Sequence, residues 1–449
     1  MPDLRQQLSK LMLPVHIKTL INRALPPHSF VRKVGTLAGG TAASQAIGIC
    51  AMPIVTRIYS PAQIGIVSLF LAFFGYWAST LSLRYEYALL IAQDDAESHL
   101  VHRVAVIVVV VMALLGMPLL WLLQSSNLFE FGLLPPWAPL IAGPIFLGFG
   151  LFMVSRSWAL RAGLVRQVTQ AAIARAAANA TARIGLGLAG GGVVALLVAE
   201  LAGACVSMAR LATATRRHFA ASRPAQFSRH DLRAVARKYS KFPLLETPSS
   251  WIDSLAFTLP LPMVASLYGA EAAGWFGLAR LLVSVPNSQI GSAVADVFQM
   301  ELAKAVLDRD GRRAHHIFYA LIKKMALIGL APLLVVIVLA PWLMPWVFGN
   351  QWAAAGSAAA AIAPWLYAAL IVSPLSRALS VLQAQEFKLI YDVSALMLLV
   401  AAYFFAQAAD FSFIEFLLAI SLANVIGYGI YAVVLMKLID RRVGCGAPD

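Results

Sequence analysis

The sequence predicts an all-α polytopic membrane protein of about twelve transmembrane helices, arranged as two blocks of six. Three observations carry that expectation. Apolar residues fill 60% of 449 positions and charged residues only 12%, with a mean hydropathy of +0.77, which leaves too little polar surface for a soluble chain of this length. Windows of about twenty mostly apolar residues recur from end to end. Lys and Arg gather in alternate connections between these windows. The period-2 alternation of barrel strands is lacking, so the spanning elements are helices.

The windows place helices near 34–57, 64–83, 101–123, 138–156, 172–190, 193–212, 243–267, 274–298, 325–347, 357–379, 389–408 and 413–436. The fifth is the weakest, being rich in Ala and carrying Arg175 and Arg183. The division is a segment 1–33, a first lobe 34–212, a basic linker 213–242, a second lobe 243–436 and a tail 437–449. If both termini are cytoplasmic, 33 of the 35 Lys and Arg fall in segments assigned to that side, leaving only Arg57 and Arg280. A layout wrong by one span would destroy this bias. The net charge of +14 therefore reads as membrane topology, with no nucleic-acid partner expected.

The first thirty residues lack the long apolar core and cleavage site of a secretory signal. Arg5, Lys10, Lys18 and Arg23 among leucines fit either an interfacial helix or a cytoplasmic tail. Cys50, Cys205 and Cys445 have neither metal-ligand nor disulfide spacing. Asp94-Asp95-Ala-Glu97 finds no second ligand cluster and reads as a solvated turn, so no metal site is expected. Phosphate-binding loops, GxSxG, HExxH and the paired acids of a glycosyltransferase are missing, which argues against an enzyme.

The halves resemble repeats. Pro53, Tyr59 and Gly65 recur as Pro262, Tyr268 and Gly274 at a constant offset of 209, at equivalent places in two blocks of like orientation. Pro53, Pro118, Pro144, Pro260, Pro262, Pro286, Pro332 and Pro374 fall within spans, where proline either kinks helices around a cavity or is ordinary transmembrane composition.

Ionisable and polar residues inside spans are the candidate site residues. Gln45 shares a helix face with Thr41 and Gly48 near mid-membrane. Glu246, Ser250 and Asp253 fall at i, i+4, i+7 on the seventh span, and Arg280, Ser284, Asn287 and Gly291 do so on the eighth. At roughly 1.5 Å per residue, Arg280 lies about 9 Å and Asp253 about 22 Å below the outer ends of their helices, too far apart to pair directly. Arg280 is a candidate anion contact, and Asp253 with Glu246 a candidate proton or sodium site; pairing with other buried groups is the competing reading. Arg84, Glu86, Arg156, Arg161 and Arg377 sit at cytoplasmic ends of spans. Singly they read as snorkelling charges and together as a cationic vestibule suited to phosphate.

Arg57-Ile-Tyr-Ser-Pro-Ala-Gln-Ile-Gly65, then Leu83-Arg84-Tyr85-Glu86 and Asp94-Asp95-Ala-Glu97, resembles the Wzx-type polysaccharide flippases of the multidrug/oligosaccharidyl-lipid/polysaccharide exporter superfamily. Phe348-Gly349-Asn350-Gln351-Trp352 with Gly356, and Gln385-Glu386-Phe387-Lys388, resemble its second-half signatures. The resemblance implies a multi-pass protein of the bacterial inner membrane whose two six-helix lobes surround a central cationic cavity. It implies a carrier moving undecaprenyl-diphosphate-linked oligosaccharide to the periplasmic leaflet by alternating access, with no cofactor and with H+ or Na+ as coupling ion. Membrane lipids, a polysaccharide polymerase and chain-length components are the implied partners. A multidrug or cation antiporter, expected to have an acidic cavity, and a lipid II flippase, resembling a fourteen-span plan, are the alternatives.

Overall fold

A computed structural model describes residues 30–221, 228–308, 310–382 and 384–443; the expectations for 1–29, most of the tail and part of the linker lie outside these residues. The described chain is helical throughout, without strands. Its α-helices are α1 (Phe30–Ile58), α2 (Pro61–Ala78), α3 (Tyr85–Ile91), α4 (Asp95–Ser125), α5 (Ala138–Arg161), α6 (Val165–Leu188), α7 (Gly192–Ala221), α8 (Arg229–Lys238), α9 (Thr247–Thr258), α10 (Pro260–Leu307), α11 (Gly311–Phe348), α12 (Ala353–Val372), α13 (Arg377–Val381), α14 (Gln385–Ala408) and α15 (Phe413–Val443).

Nine helical segments among the described residues are long and apolar enough to cross a bilayer. Three expected spans, the fifth, seventh and eighth, are not among these nine. The fifth, α6, is full length but carries Arg175, Asn179 and Arg183. The seventh is divided: α9 ends at Thr258, and Pro260 opens α10. The eighth follows without a loop, because Gly269 at φ 81° bends α10 into two arms where the sequence suggests an outer turn. Pro374 likewise lies in a 3-10 turn, Ser373–Ser376, that separates α12 from α13.

The start of the seventh span departs from a regular α-helix. Phe242–Glu246 forms a π-turn, and Glu246 is itself helical, φ −75° and ψ −37°, where α9 begins one turn before Ser250. Glu246 is exposed beside Leu244 and Leu245, and Asp253, further along α9, is exposed as well.

The repeated residues occupy matching positions. Tyr59 donates its hydroxyl to the Arg183 carbonyl at 2.7 Å, and Tyr268 donates its own to the Phe411 carbonyl at 2.8 Å. Gly65 and Gly274 meet where α2 crosses α10. A Cβ on Gly65 would lie 1.7 Å from the Ala270 carbonyl oxygen, and one on Gly274 2.0 Å from that of Pro61. Only glycine permits so close a crossing.

The signature stretch builds this same end. Ser60 and Gln63 form a capping box at the start of α2, with Ser60 Oγ accepting from the Gln63 amide at 3.3 Å and Gln63 Oε1 from the Ser60 amide at 3.1 Å. Gln351 Nε2 and Trp352 Nε1 donate to the Thr56 carbonyl at 2.7 and 3.0 Å, so the signature of one lobe ties down the last turn of the other.

Part of the linker is structured. Helix α8 buries Val235, and the adjoining Tyr239, against Leu89, Val101 and Trp158 of the first lobe, and Tyr85 donates to the Ala236 carbonyl at 3.1 Å. Lys238 pairs with Glu97, a hydrogen bond that holds its ammonium above its ordinary pKa. Asp94 caps α4 by accepting from the Glu97 amide at 2.7 Å.

Candidate substrate cavity

Helices α1, α2, α6 and α7 of one lobe and α9 and α10 of the other enclose a cavity of about 370 Å³. Each lobe contributes one arginine to its lining, Arg183 from α6 and Arg280 from α10, with Ser68, Thr258 and Ser284 as hydroxyl neighbours.

The two guanidinium groups are held differently. Arg183 Nη2 lies 2.5 Å from Glu200 Oε1 on α7, where the carboxylate is buried, and Asn179 donates to the Ala199 carbonyl beside it at 3.2 Å. Arg175, about two turns earlier on α6, lies over the Phe149 ring at 4.7 Å. The buried Arg280 donates to the Phe257 carbonyl and lies 3.9 Å from the Phe257 ring centroid, with Phe276 and Trp365 at 5.8 and 5.7 Å. Among the described residues no carboxylate comes within ion-pair distance of Arg280. Aromatic faces orient this cation but do not cancel its charge.

Asp253 belongs to a separate cluster on the second lobe. Lys388 of α14 lies 3.7 Å from Asp253 Oδ1 on α9 and 2.6 Å from the buried Asp392 Oδ2, so one ammonium bridges two carboxylates. Tyr391 and Tyr431 stack beside it, 4.1 Å between centroids. Asp253 and Arg280 do not pair.

Arg84 stands at the far end of α2 from Gly65. Leu83 and Arg84 both take left-handed backbone conformations, φ 47° and 64°, which turn the chain back and aim Arg84 across the lobe boundary. Its Nε donates to Ser250 Oγ on α9 at 3.1 Å, and its Nη1 donates to Tyr87 at 3.2 Å and lies 3.9 Å from the buried Glu86. Ser82 donates to that carboxylate. Close by, Tyr76 and Trp251 stack across the same boundary at 5.0 Å.

The remaining expectations scatter. Arg156 is exposed at the end of α5, and Arg377 is exposed at the start of α13. Arg161 donates to the carbonyls of Leu89, Ala92 and Asp94 and serves the α3–α4 corner. Of the expected arginines, Arg84 reaches across the lobe boundary through a side-chain hydrogen bond. Gln45 is half-buried on α1 and lines neither this cavity nor the larger one described below. The Asn287 side chain lies outside the described residues.

Arg183 is the site residue that sequence reasoning passed over. The sequence puts it in the fifth window but groups its charge with the cytoplasmic segments, whereas the Arg183 carbonyl holds Tyr59 at the opposite end of the bundle. The available signal was an arginine and a carboxylate, Arg183 and Glu200, in consecutive spans joined by a glycine turn.

This two-lobed helical bundle with an interlobe cavity is the fold of the MOP-superfamily transporters. The chain is similar to a multidrug resistance MATE family transporter in an inward-facing conformation, with TM-score 0.69, 18% identity, and 90% of this chain and 96% of that one covered. It is similar to the lipid II flippase MurJ in an inward closed conformation, with TM-score 0.66, 14% identity, and 89% and 87% covered. A MOP superfamily transporter from Pyrococcus furiosus Vc1, described by the reverse polarity of its binding pocket, matches with TM-score 0.59, 16% identity, and 92% and 94% covered. No curated protein matches at a significant level. The family model described as polysaccharide biosynthesis protein matches residues 54–357, and the chain belongs to that family.

Proposed function

We propose that the chain is a flippase that carries undecaprenyl-diphosphate-linked oligosaccharide from the cytoplasmic to the periplasmic leaflet of a bacterial inner membrane, with both termini cytoplasmic. The observation that carries this reading is the pair of arginines, one from each lobe, lining one interlobe cavity. A diphosphate offers several acceptor oxygens, and two planar guanidinium groups on separate bodies engage it from both sides. Binding across the boundary favours whichever lobe arrangement brings the arginines together.

Alternating access requires an interface that closes at one end while it opens at the other. The Gly65–Gly274 crossing supplies a close contact at the periplasmic end. Arg84–Ser250 and Tyr76–Trp251 supply a smaller, separable one at the cytoplasmic end, so Arg84 acts as a gate residue in this reading. The coupling ion, H+ or Na+, is assigned to the Asp253–Lys388–Asp392 cluster, where loss or exchange of a positive charge would alter the tie between α9 and α14. A multidrug antiporter exporting cations is disfavoured by Arg280, whose charge no carboxylate among the described residues offsets in the cavity wall.

The test is reconstitution of the full chain in proteoliposomes with purified lipid-linked oligosaccharide, reading appearance of the sugar on the far leaflet. Arg280→Gln, and Arg183→Gln combined with Glu200→Gln so that no buried carboxylate is stranded, are each expected to abolish transfer while the proteins remain folded. Transfer at the parent rate in both variants overturns the reading.

A further inference from the structure

A second cavity, about 730 Å³, lies between α2, α4, α9 and the 3-10 turn Leu128–Leu133. It lies within the roughly 300–1,000 Å³ of small-molecule sites. Its walls carry six aromatic side chains, Phe73, Tyr76, Trp77, Phe129, Phe131 and Trp251, with aliphatic residues between them. Apart from the Tyr76 phenol, the lining hydroxyls are already committed to backbone. Thr80 donates to the Trp77 carbonyl at 2.8 Å, Thr258 to Ser254 at 2.8 Å and Thr247 to Phe242 at 3.3 Å, while the Trp77 indole donates to Met112 at 2.9 Å. Such walls suit hydrocarbon and offer little to a sugar, whose hydroxyls would lose water without gaining partners.

The position of this crevice gives it a meaning. Ala72 and Thr258 line both it and the arginine cavity, so the two spaces stand on either side of one thin wall. Nearby, Gly75 lets α2 approach α9 closely, since a Cβ there would lie 3.3 Å from the Thr258 methyl. One side of the wall is cationic and the other apolar. That division matches a molecule with a charged head joined directly to a hydrocarbon chain.

Resting on the flippase reading above, we infer that the crevice receives the head-proximal isoprene units of the lipid carrier while its diphosphate meets Arg183 and Arg280. The chain leaves the bilayer for its first units and enters the protein. Flat alkene units and branching methyls pack on aromatic faces, and the exposed rim at Trp251 and Leu128 leaves room for the rest of the chain to pass outward. Oligosaccharide is kept out of this crevice and stays on the arginine side.

The test uses the full chain in nanodiscs and geranylgeranyl diphosphate carrying a diazirine in its second isoprene unit. After irradiation, adducts mapped by mass spectrometry are expected on Phe73, Trp251 or Leu255 and are expected to vanish when unlabelled geranylgeranyl diphosphate is added. Leu255→Trp, which fills the crevice without touching either arginine, should reduce labelling about tenfold while inorganic pyrophosphate binds within about twofold of the parent. Trp251→Ala serves as a second, enlarging variant and should move adducts deeper, toward Phe131. Adducts confined to the lipid-facing residues of α11, such as Leu334 and Val338, overturn the inference. So does equal labelling of the crevice by a diazirine phosphatidylcholine that geranylgeranyl diphosphate does not displace, which would make the occupant bilayer lipid. Failure of the flippase reading is read separately: pyrophosphate binding would then be indifferent to Arg183→Gln and Arg280→Gln, whatever the adduct map.

Discussion

The two lobes agree in scaffold and disagree in charge. At one end they are near copies: Tyr59 and Tyr268 each hold a carbonyl late in the fold of their own lobe, and Gly65 and Gly274 touch each other's helix. In the cavity the resemblance stops. Arg183 has a carboxylate partner in Glu200, whereas Arg280 has aromatic rings and a backbone carbonyl. A duplicated architecture has thus been kept where the lobes must meet and altered where a ligand would sit. Arg183 is a charge held ready at little net field, and Arg280 is the one whose field reaches the cavity.

That contrast can be broken by substitution, and the largest effects should come from the shared end. Gly65→Leu or Gly274→Leu drives a side chain into a carbonyl of the opposite helix and should abolish folded, monodisperse protein in size-exclusion chromatography. Normal elution of either variant would show that the crossing is not required. Next, Arg280→Lys keeps the charge but loses the planar stacking. It should lower transport by roughly 100-fold, the loss expected of one strong charged contact.

Glu200→Ala should destabilise by about 3–5 kcal/mol by stranding Arg183, measured as thermal unfolding in detergent. The double variant Arg183→Met with Glu200→Leu should recover most of that stability while leaving transport absent. Recovery of transport as well would make the pair purely structural. The smallest effects test the symmetry itself. Tyr59→Phe and Tyr268→Phe should each cost about 1 kcal/mol, the worth of one hydrogen bond, and the two losses should be similar.

The helical bundle was legible because bilayer-length apolar windows and clustered Lys and Arg are strong signals over a whole chain. The repeat was legible from three residues because the turn they build is rigid. Arg280 stood out as an isolated charge in an apolar span. Arg183 did not, since alanine-rich α6 has too little hydropathy to separate a buried arginine from a loop one. The π-turn that ends at Glu246 was not legible, since periodicity assumes a uniform helix. The tie of Asp253 to Lys388 joins residues far apart in sequence, a pairing that no local pattern encodes.

The glycine crossing also sets a mechanical scale. From Gly65 to the end of α2 at Ala78 is about 20 Å of helix at 1.5 Å per residue, so a tilt of only 10° pivoting at that crossing moves the far end by about 3.5 Å. A displacement of that size exceeds what the 3.1 Å Arg84–Ser250 hydrogen bond can tolerate. With the fulcrum near one face, the lobes can remain in van der Waals contact at the pivot while the opposite mouth parts. On the proposed reading, a head group held between the arginines would set how long the open mouth persists.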